Sequence, residues 1–312
     1  MAGSSKKVIV AALIGNLLVS ITKFTAAFFT HSSAMFSEGI HSLVDTGNQV
    51  LLLYGLKQAE LPADKDFPFG HGKEIYFWSF IVAILIFAVG AGVSIYEGVI
   101  HIINPVEVKD SYINYIVLTL AIIFEGAAWS LAYKEFKKDN TKYNIIKSVK
   151  VGKNPAMFVV LFEDTAALLG LVVAMLGIFL SEQTGILIFD GIASVTIGLI
   201  LAVTAMWLAI ETKGLLIGES ADPEVVETIK ALADEYDEVE YINEVLTMHM
   251  GPEYILVNLS IDFEDQVKAG KVEQIISDMD RRIKQKCPLV KRVFVEAESR
   301  AEPSPTNHLL EE

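Results

Sequence analysis

Residues 37–50 read SEGIHSLVDTGNQV, which places a glutamate, a histidine and an aspartate between almost wholly apolar flanks. Charged groups in such surroundings are costly unless they are paired, solvated or bound to something. On an α-helix, Glu38, His41 and Asp45 are separated by three and then four residues, so their side chains share one face. Asn48 extends this polar stripe by a further turn. The stripe therefore indicates either a polar contact between helices or a binding site.

The apolar runs around this stripe are long enough to cross a lipid bilayer, which takes about 20 residues. Of the 312 residues, 52% are hydrophobic. The first run follows Lys6 and Lys7, but no small-residue cleavage site follows it, so we expect a helix that stays in place and not a cleaved signal. The sequence predicts an integral membrane protein whose transport domain, residues 1–212, is an all-α bundle of six transmembrane helices. The six spans cover roughly 8–30, 34–56, 75–103, 112–133, 155–180 and 186–210.

The positive charges of the short connections predict the orientation of the bundle, since Lys and Arg concentrate on the cytoplasmic side. They precede span 1 and occupy the connections between spans 2 and 3 and between spans 4 and 5. The opposite connections hold only Lys109. Both termini are therefore expected in the cytoplasm, in a cell membrane or inner membrane. The cytoplasmic lysines are Lys6, Lys7, Lys57, Lys65, Lys73, Lys134, Lys137, Lys138, Lys142, Lys147, Lys150 and Lys153.

The pattern changes after Gly214 to that of a small cytoplasmic domain. Residues 213–298 predict the order αββαβ, a ferredoxin-like α+β arrangement with helices on one face of a sheet. Residues 215–298 carry 19 Asp or Glu against 9 Lys or Arg, which argues against a nucleic-acid partner because phosphate binding needs a basic surface. The single cysteine, Cys287, excludes a disulfide framework and a Cys-x-x-Cys metal knuckle. The tail, residues 299–312, is predicted to be disordered.

Two acids in the fifth span are potential partners of the stripe. Residues 159–170 read VVLFEDTAALLG, and Glu163 and Asp164 point about 100° apart on a helix. We expect one of them to face span 2 and the other to face a different neighbour or a water-filled crevice. Imidazole and carboxylate ligands suit Zn²⁺ and neighbouring transition metals. His41, Asp45 and Asp164 would supply three ligands, and Glu163, a water or a backbone oxygen the fourth.

Other polar groups inside the spans receive separate interpretations. Glu125 is ionisable and lies mid-span, which favours either a proton-carrying or gating role or a structural one. Asn16, Asn48 and Asp190 are predicted to make hydrogen bonds between helices.

The connection between spans 2 and 3, residues 62–79, reads PADKDFPFGHGKEIYFWS. Its Gly-His-Gly-Lys string lacks the spacing and the Ser or Thr of a phosphate-binding loop, so we reject that interpretation. His71 with Asp64 or Asp66 would make a weak surface metal site. A purely structural turn held by Pro68, Gly70 and Gly72 is the alternative.

At these residues the sequence resembles the cation diffusion facilitator family of divalent-metal transporters. The similarity rests on the six spans, the C-terminal domain, the His41-x-x-x-Asp45 motif and the string Pro-Phe-Gly-His-Gly-Lys at 68–73. The strings Ser-Glu-Gly-Ile-His-Ser (37–42) and Glu-Asp-Thr-Ala-Ala (163–167) resemble the zinc transporter nine branch. The resemblance implies a homodimer, formed through the cytoplasmic domain and transmembrane contacts, that exchanges metal for protons. It also implies that Glu38 matches the family's acidic residue before the histidine.

The sequence departs from the family pattern at three places. Span 5 has Val160 where the family has a metal ligand, so Glu163 is the leading replacement. The loop has Phe67 where some members have a further histidine, which leaves Asp64 and His71. The last two strands lack the histidines that bind zinc in some relatives, and His249 is expected to be a polar strand residue; we therefore expect dimerisation without a metal cluster.

The sequence predicts a secondary transporter that exports a divalent cation, Zn²⁺, from the cytoplasm in exchange for protons, by alternating access around spans 2 and 5. Glu38, Asn48 and Glu125 would support the site or couple it to protons. We expect no prosthetic group, no ATP and no enzyme activity, because no nucleotide-binding motif and no His-Glu-x-x-His helix are present. An exporter of manganese, iron or cobalt with the same mechanism is an alternative. A passive metal channel and a metal sensor are alternatives from other classes.

Overall fold

The computed structural model describes residues 2–139 and 155–300, and the chain divides into two compact units. The first unit holds residues 1–61 and 74–213, and the second holds residues 62–73 and 214–312. The connection at 62–73, which the sequence analysis had included in residues 1–212, thus groups with the C-terminal unit. The lysines at 142, 147, 150 and 153 and most of the predicted disordered tail lie outside the described residues.

All regular secondary structure in the described part of the first unit is helical. Its helices are α1 (Ala2–Thr30), α2 (Ser33–Ala59), α3 (Glu74–Leu85), α4 (Gly92–Ile103), α5 (Ser111–Asp139), α6 (Pro155–Thr184) and α7 (Ile188–Ile217). A π-helical turn, Ile86–Ala91, joins α3 to α4 without a break. The side chain of Ser32 caps α2 by accepting a hydrogen bond from the amide of Met35, which ends the tight connection from α1.

Four helical segments of the described chain are long and apolar enough to cross a membrane. They are Glu74–Ile103, Ser111–Lys134, Met157–Thr184 and Ile188–Ile217. The apolar part of α1, Asn16–Thr30, is shorter, and α2 carries the charged stripe that lowers its hydropathy. Large apolar side chains such as Phe28, Leu131 and Val203 point outward, as helices in lipid require. The six-span arrangement therefore stays a prediction for α1 and α2.

Helices α4 and α7 approach each other at backbone distance. A Cβ atom on Gly98 would lie 2.6 Å from the amide nitrogen of Val195, and one on Gly191 would lie 2.9 Å from the carbonyl oxygen of Gly98. A Cβ atom on Gly198 would lie 2.9 Å from the amide nitrogen of Ile95. Small residues permit such close packing where lipid provides no hydrophobic drive between helices.

The second unit contains the elements α8 (Pro223–Ala233), β1 (Val239–Gly251), β2 (Tyr254–Phe263), α9 (Ala269–Lys286) and β3 (Val290–Ala297). The sheet order is β1-β2-β3, with β1 antiparallel and β3 parallel to β2. A parallel neighbour needs a crossover connection, which α9 supplies. Val257, Leu259 and Ile261 alternate along β2 and are fully buried against Met279 and Ile283 of α9. The ferredoxin-like classification stays a prediction, since the described sheet has three strands.

Candidate metal centre

The polar stripe of α2 faces the interior of the first unit. Glu38 and Asn48 are fully buried, and His41 is 1% exposed. The Nδ1 atom of His41 lies 3.4 Å from Oδ1 of Asp45, one turn along the helix. Neither ring nitrogen of His41 has a hydrogen-bond partner in the described part of the chain. Buried polar groups are nearly always paired, so the unpaired imidazole is a group available for a ligand.

Asp45 lines a cavity of about 250 Å³ between α1, α2, α5 and α6. Three further acids line the same cavity, Glu125 of α5 and Glu163 and Asp164 of α6. The angle of about 100° between Glu163 and Asp164 on a helix predicts different surroundings for the two side chains. Both reach one cavity because α6 packs against α2 and α5 together, and the cavity opens across the gap between those helices.

Glu163 is held against α2 by two contacts. Its Oε1 atom accepts a hydrogen bond of 2.5 Å from Nδ2 of Asn48, and its carboxyl group is in side-chain hydrogen-bonding contact with that of Asp45. Two carboxyl groups in contact need a proton or a cation between them. Val160 lines the cavity as well. At this position the family pattern has a metal ligand, whereas this chain has an apolar side chain facing the cavity.

The four predicted ligands do not form a closed metal shell. Within residues 2–139 and 155–300, no group of three His, Cys, Asp or Glu side chains is close enough to hold a metal ion. His41 is absent from the cavity lining and lies behind Asp45. The assignment of His41, Asp45, Glu163 and Asp164 as ligands therefore stays a prediction, and it requires His41 to turn toward the cavity.

A buried lysine beside the cavity is not among the site residues predicted from the sequence. Lys23 of α1 is fully buried, and its Nζ atom lies 3.0 Å from Oε2 of Glu38 and 3.0 Å from Oε1 of Glu125. It also donates to Oγ of Ser42 at 2.8 Å. The sequence does contain a sign of this contact, which is a lone lysine within an apolar span. Such a lysine is costly in a membrane without a partner, so it indicates a buried acid nearby. Which acids would partner it depends on tertiary packing.

The remaining intramembrane polar residues make the predicted contacts between helices. Asn16 donates to Gln49 at 3.0 Å. The carboxylate of Asp190 accepts from the hydroxyl of Ser32 and from the amide of Ser33, both at 2.5 Å. Asp190 thereby binds the N-terminus of α2 to α7, where a negative charge is favoured by the helix dipole.

The loop at 62–73 is organised as a turn around Asp64. The carboxylate of Asp64 accepts hydrogen bonds from the amides of Phe67 at 2.7 Å and Asp66 at 2.9 Å. Its other oxygen lies 3.0 Å from Nε2 of His71. The backbone bond from Phe67, followed by the contact with His71, lowers the pKa of Asp64 below its usual value. Gly70 has a φ of +84°, which favours the structural interpretation; metal binding at Asp64 and His71 stays a prediction.

Comparison with known families agrees with this architecture. The description "Cation efflux transmembrane domain" matches residues 9–217, two thirds of the chain. The chain therefore belongs to the cation efflux family, the cation diffusion facilitators of the sequence analysis. Family membership and the four apolar helices make it an integral membrane protein.

Its similarity to particular members extends beyond that domain. The chain is 34% identical to the proton-coupled zinc antiporter SLC30A9, mitochondrial, of Xenopus laevis over 86% of its own length and 48% of the relative's. It is 32% identical to the human protein of that name over 84% of its own length and 46% of the relative's. The chain therefore spans about half the length of each of these two zinc antiporters. It is 28% identical to the manganese efflux system protein MneP of Bacillus subtilis over 93% of its own length and 95% of the relative's. The resemblance to the zinc transporter nine branch is confirmed.

Proposed function

We propose that this protein is a secondary transporter that exports a divalent metal cation, Zn²⁺, from the cytoplasm in exchange for protons. The observation that carries the proposal is the cavity between α2, α5 and α6, which Asp45, Glu125, Glu163 and Asp164 line together. Such a concentration of acids inside an apolar bundle marks an ion pathway in membrane proteins. The family's members named above are transporters, which supports a non-enzymatic function.

The donor set fits a transition-metal cargo. Carboxylate oxygens from Asp45, Asp164 and Glu163 would face the ion, and the imidazole of His41 would complete a four-coordinate set of the kind that Zn²⁺ takes. Glu163 would supply the ligand that Val160 cannot, and the contact of its carboxyl group with that of Asp45 supports this assignment.

Proton exchange follows from the competition between metal and protons for the same groups. Carboxylates and imidazole bind metal only when they are deprotonated, so loading the cation releases protons and protonation releases the cation. A single cavity that opens alternately to the two sides of the membrane would couple the two gradients. His41 suits this exchange, because a metal ion and a proton compete for the same lone pair of its imidazole.

The membrane arrangement that this mechanism needs has six spans, with α1 and α2 crossing beside the four apolar segments. The lysine distribution supports cytoplasmic termini, in a cell membrane or an inner membrane. We propose a homodimer formed by the cytoplasmic domain together with transmembrane contacts.

Manganese is the second candidate cargo, and one comparison favours it. The relative that the chain matches along nearly its full length is named a manganese efflux protein. The cavity lining is rich in carboxylates, which suit Mn²⁺ as well as Zn²⁺, whereas His41 favours Zn²⁺. The participation of His41 therefore separates the two cargoes.

Purified protein in liposomes with an imposed pH gradient tests the function. We expect Zn²⁺ to move against its concentration gradient, and Asp45→Asn and Asp164→Asn each to lower the initial rate about a hundredfold, as loss of a central ligand does. Glu107→Gln, at an exposed position between α4 and α5, is the matched control and should transport normally.

The same assay run with Mn²⁺ assigns the cargo. If His41→Ala abolishes transport of Zn²⁺, the zinc assignment holds. Faster transport of Mn²⁺ than of Zn²⁺, unaffected by His41→Ala, would assign manganese. Normal transport in both aspartate variants would show that the cavity is not the site.

A further inference from the structure

The ammonium group of Lys23 is held at a fixed position beside the cavity. A lysine ammonium has three N–H donors, and each has an acceptor at 2.8 to 3.0 Å, on Glu38, Ser42 and Glu125. The residue is fully buried, so water does not compete for these bonds. Lys23 therefore acts as a permanent cation within the bundle.

The carboxyl group of Glu125 contacts this ammonium group and also lines the cavity. Its Oε1 atom binds Lys23, whereas its Oε2 atom has no hydrogen-bond partner among the described residues. The side chain is 23% exposed and lines the cavity together with Asp45, Glu163 and Asp164. No other acid in the described lining has an ion pair with a lysine or arginine.

This arrangement limits the negative charge that the cavity offers to a cation. Asp45, Glu163 and Asp164 face it without a fixed counter-charge, whereas the charge of Glu125 is offset by Lys23. Attraction between a divalent cation and a carboxylate grows steeply as the two approach in a medium of low dielectric constant. A fourth free carboxylate would bind the cation more tightly and slow its release.

We propose that Lys23 is a positioning residue which holds Glu125 back from the cation and so sets the balance between metal affinity and metal release. The inference rests on the proposed function, because it concerns the cation that the cavity carries. It assigns a role in transport to a residue of α1, a helix outside the α2 and α6 pair that supplies the predicted ligands.

The test removes Lys23 together with its other partner, so that no unpaired charge is left at Glu38. In Lys23→Met/Glu38→Gln, Glu125 is free to turn into the cavity. We expect the Kd for Zn²⁺, measured by calorimetry on detergent-purified protein, to fall about tenfold, with KM and maximal rate in liposomes falling together. Adding Glu125→Gln to this variant should return the Kd to within about twofold of the wild-type value.

Two single variants keep the proposal testable if the double variant does not fold. Glu125→Gln in the wild-type background should weaken Zn²⁺ binding less than Asp164→Asn does, because Glu125 is withheld from the cation whereas Asp164 faces it without an ion pair to a lysine or arginine of the described residues. Lys23→Arg should leave the Kd within about twofold, because it retains the charge and the donors. Equal weakening of Zn²⁺ binding by Glu125→Gln and by Asp164→Asn would overturn the proposal, since Glu125 would already be a ligand.

The outcomes separate this inference from the proposed function. If the wild-type protein transports Zn²⁺ and the double variant has an unchanged Kd and KM, the role of Lys23 is overturned and the function stands. If the wild-type protein moves neither Zn²⁺ nor Mn²⁺, the proposed function fails. A purely structural role of Lys23 would lower the yield of folded protein without shifting KM, and that result would also overturn the inference.

Discussion

Two clusters of buried acids lie side by side in the transmembrane unit, and they are neutralised in different ways. Glu38 and Glu125 share the ammonium of Lys23 at 3.0 Å each. Asp45 and Glu163 contact each other, and the only nitrogen donor that the described residues bring to Glu163 is the amide of Asn48. The first cluster carries its own cation, whereas the second needs protons or a metal ion to offset its charge. A carrier that exchanges metal for protons needs a cluster of acids without a built-in cation, such as Asp45 and Glu163. The pairing of Glu38 and Glu125 with Lys23 shows that the same fold can also neutralise acids permanently.

The largest expected effect is the loss of stability when the ammonium group of Lys23 is removed. Lys23→Met leaves the fully buried Glu38 without its ion-pair partner, and breaking a buried ion pair in this way costs about 3–5 kcal/mol of unfolding free energy. Glu163→Gln, in contrast, removes repulsion from a cluster without a fixed cation, and we expect it to leave stability unchanged or raised. Thermal unfolding of both variants in detergent at neutral pH, without metal, measures the difference.

The control for this comparison restores neutrality around the missing lysine. Lys23→Met/Glu38→Gln/Glu125→Gln should recover most of the stability that the single variant loses, because no charge is then left unpaired. Equal destabilisation by Lys23→Met and Glu163→Gln would show that the two clusters are not neutralised differently.

The second prediction supplies the ligand that α6 lacks. Val160 lines the cavity one turn before Asp164, so Val160→Asp would add a carboxylate at the family's usual position. We expect the Kd for Zn²⁺ to fall about tenfold in metal titrations of purified protein, because a further ligand faces the ion. Val160→Asn, which has nearly the same shape but no charge, is the matched control; an equal gain from both would point to packing and not to coordination.

A smaller effect is expected at Asn48, which orients Glu163 through a hydrogen bond of 2.5 Å. Asn48→Ala removes this donor from a buried carboxylate, which costs on the order of 1–3 kcal/mol. In liposomes we expect KM for Zn²⁺ to rise about threefold with little change in the maximal rate, since the carboxyl group is misplaced but present. Asn114→Ala removes instead a buried acceptor of Thr30, outside the cavity lining, and it should leave KM unchanged.

The smallest effect concerns the loop turn at Asp64. Its pKa is lowered in the folded state, chiefly by the amide of Phe67 and then by His71. A depressed folded-state pKa stabilises the turn above the ordinary value of 3.8 and loses that contribution as the pH falls through the folded-state pKa. An NMR titration of the Asp64 carboxyl group should therefore give a midpoint below 3.8. In Phe67→Pro, which lacks the amide donor, the midpoint should move upward.

Local sequence patterns predicted those parts of the structure that are set by neighbours along the chain. The spacing of Glu38, His41 and Asp45 placed them on one buried face because helix geometry alone decides this. Strand β2 likewise reflects a local pattern, because Val257, Leu259 and Ile261 alternate along it and pack against α9.

The contacts that the sequence left open depend on tertiary packing. Nothing local indicates that Lys23 would meet both Glu38 and Glu125, which are 15 and 102 residues away. Similarly, the 100° angle between Glu163 and Asp164 predicted two environments, whereas the position of α6 between α2 and α5 gives them one. The loop at 62–73 joins the second unit because Gly72 packs on the backbone of Met250 and Gly251, and this contact has no signature in the loop itself.

The glycine contacts between α4 and α7 bear on how the bundle can move. A relative slide of one residue is about 1.5 Å, and it would bring the side chain of Ile95 or Val195 against the opposing backbone, where less than a methyl group's space exists. We therefore expect the two helices to move together as a single block. If the protein transports a cation through the cavity as proposed, the movement must occur elsewhere in the unit. Disulfide cross-links between α4 and α7 should then leave transport intact, whereas cross-links between α2 and α6 should arrest it.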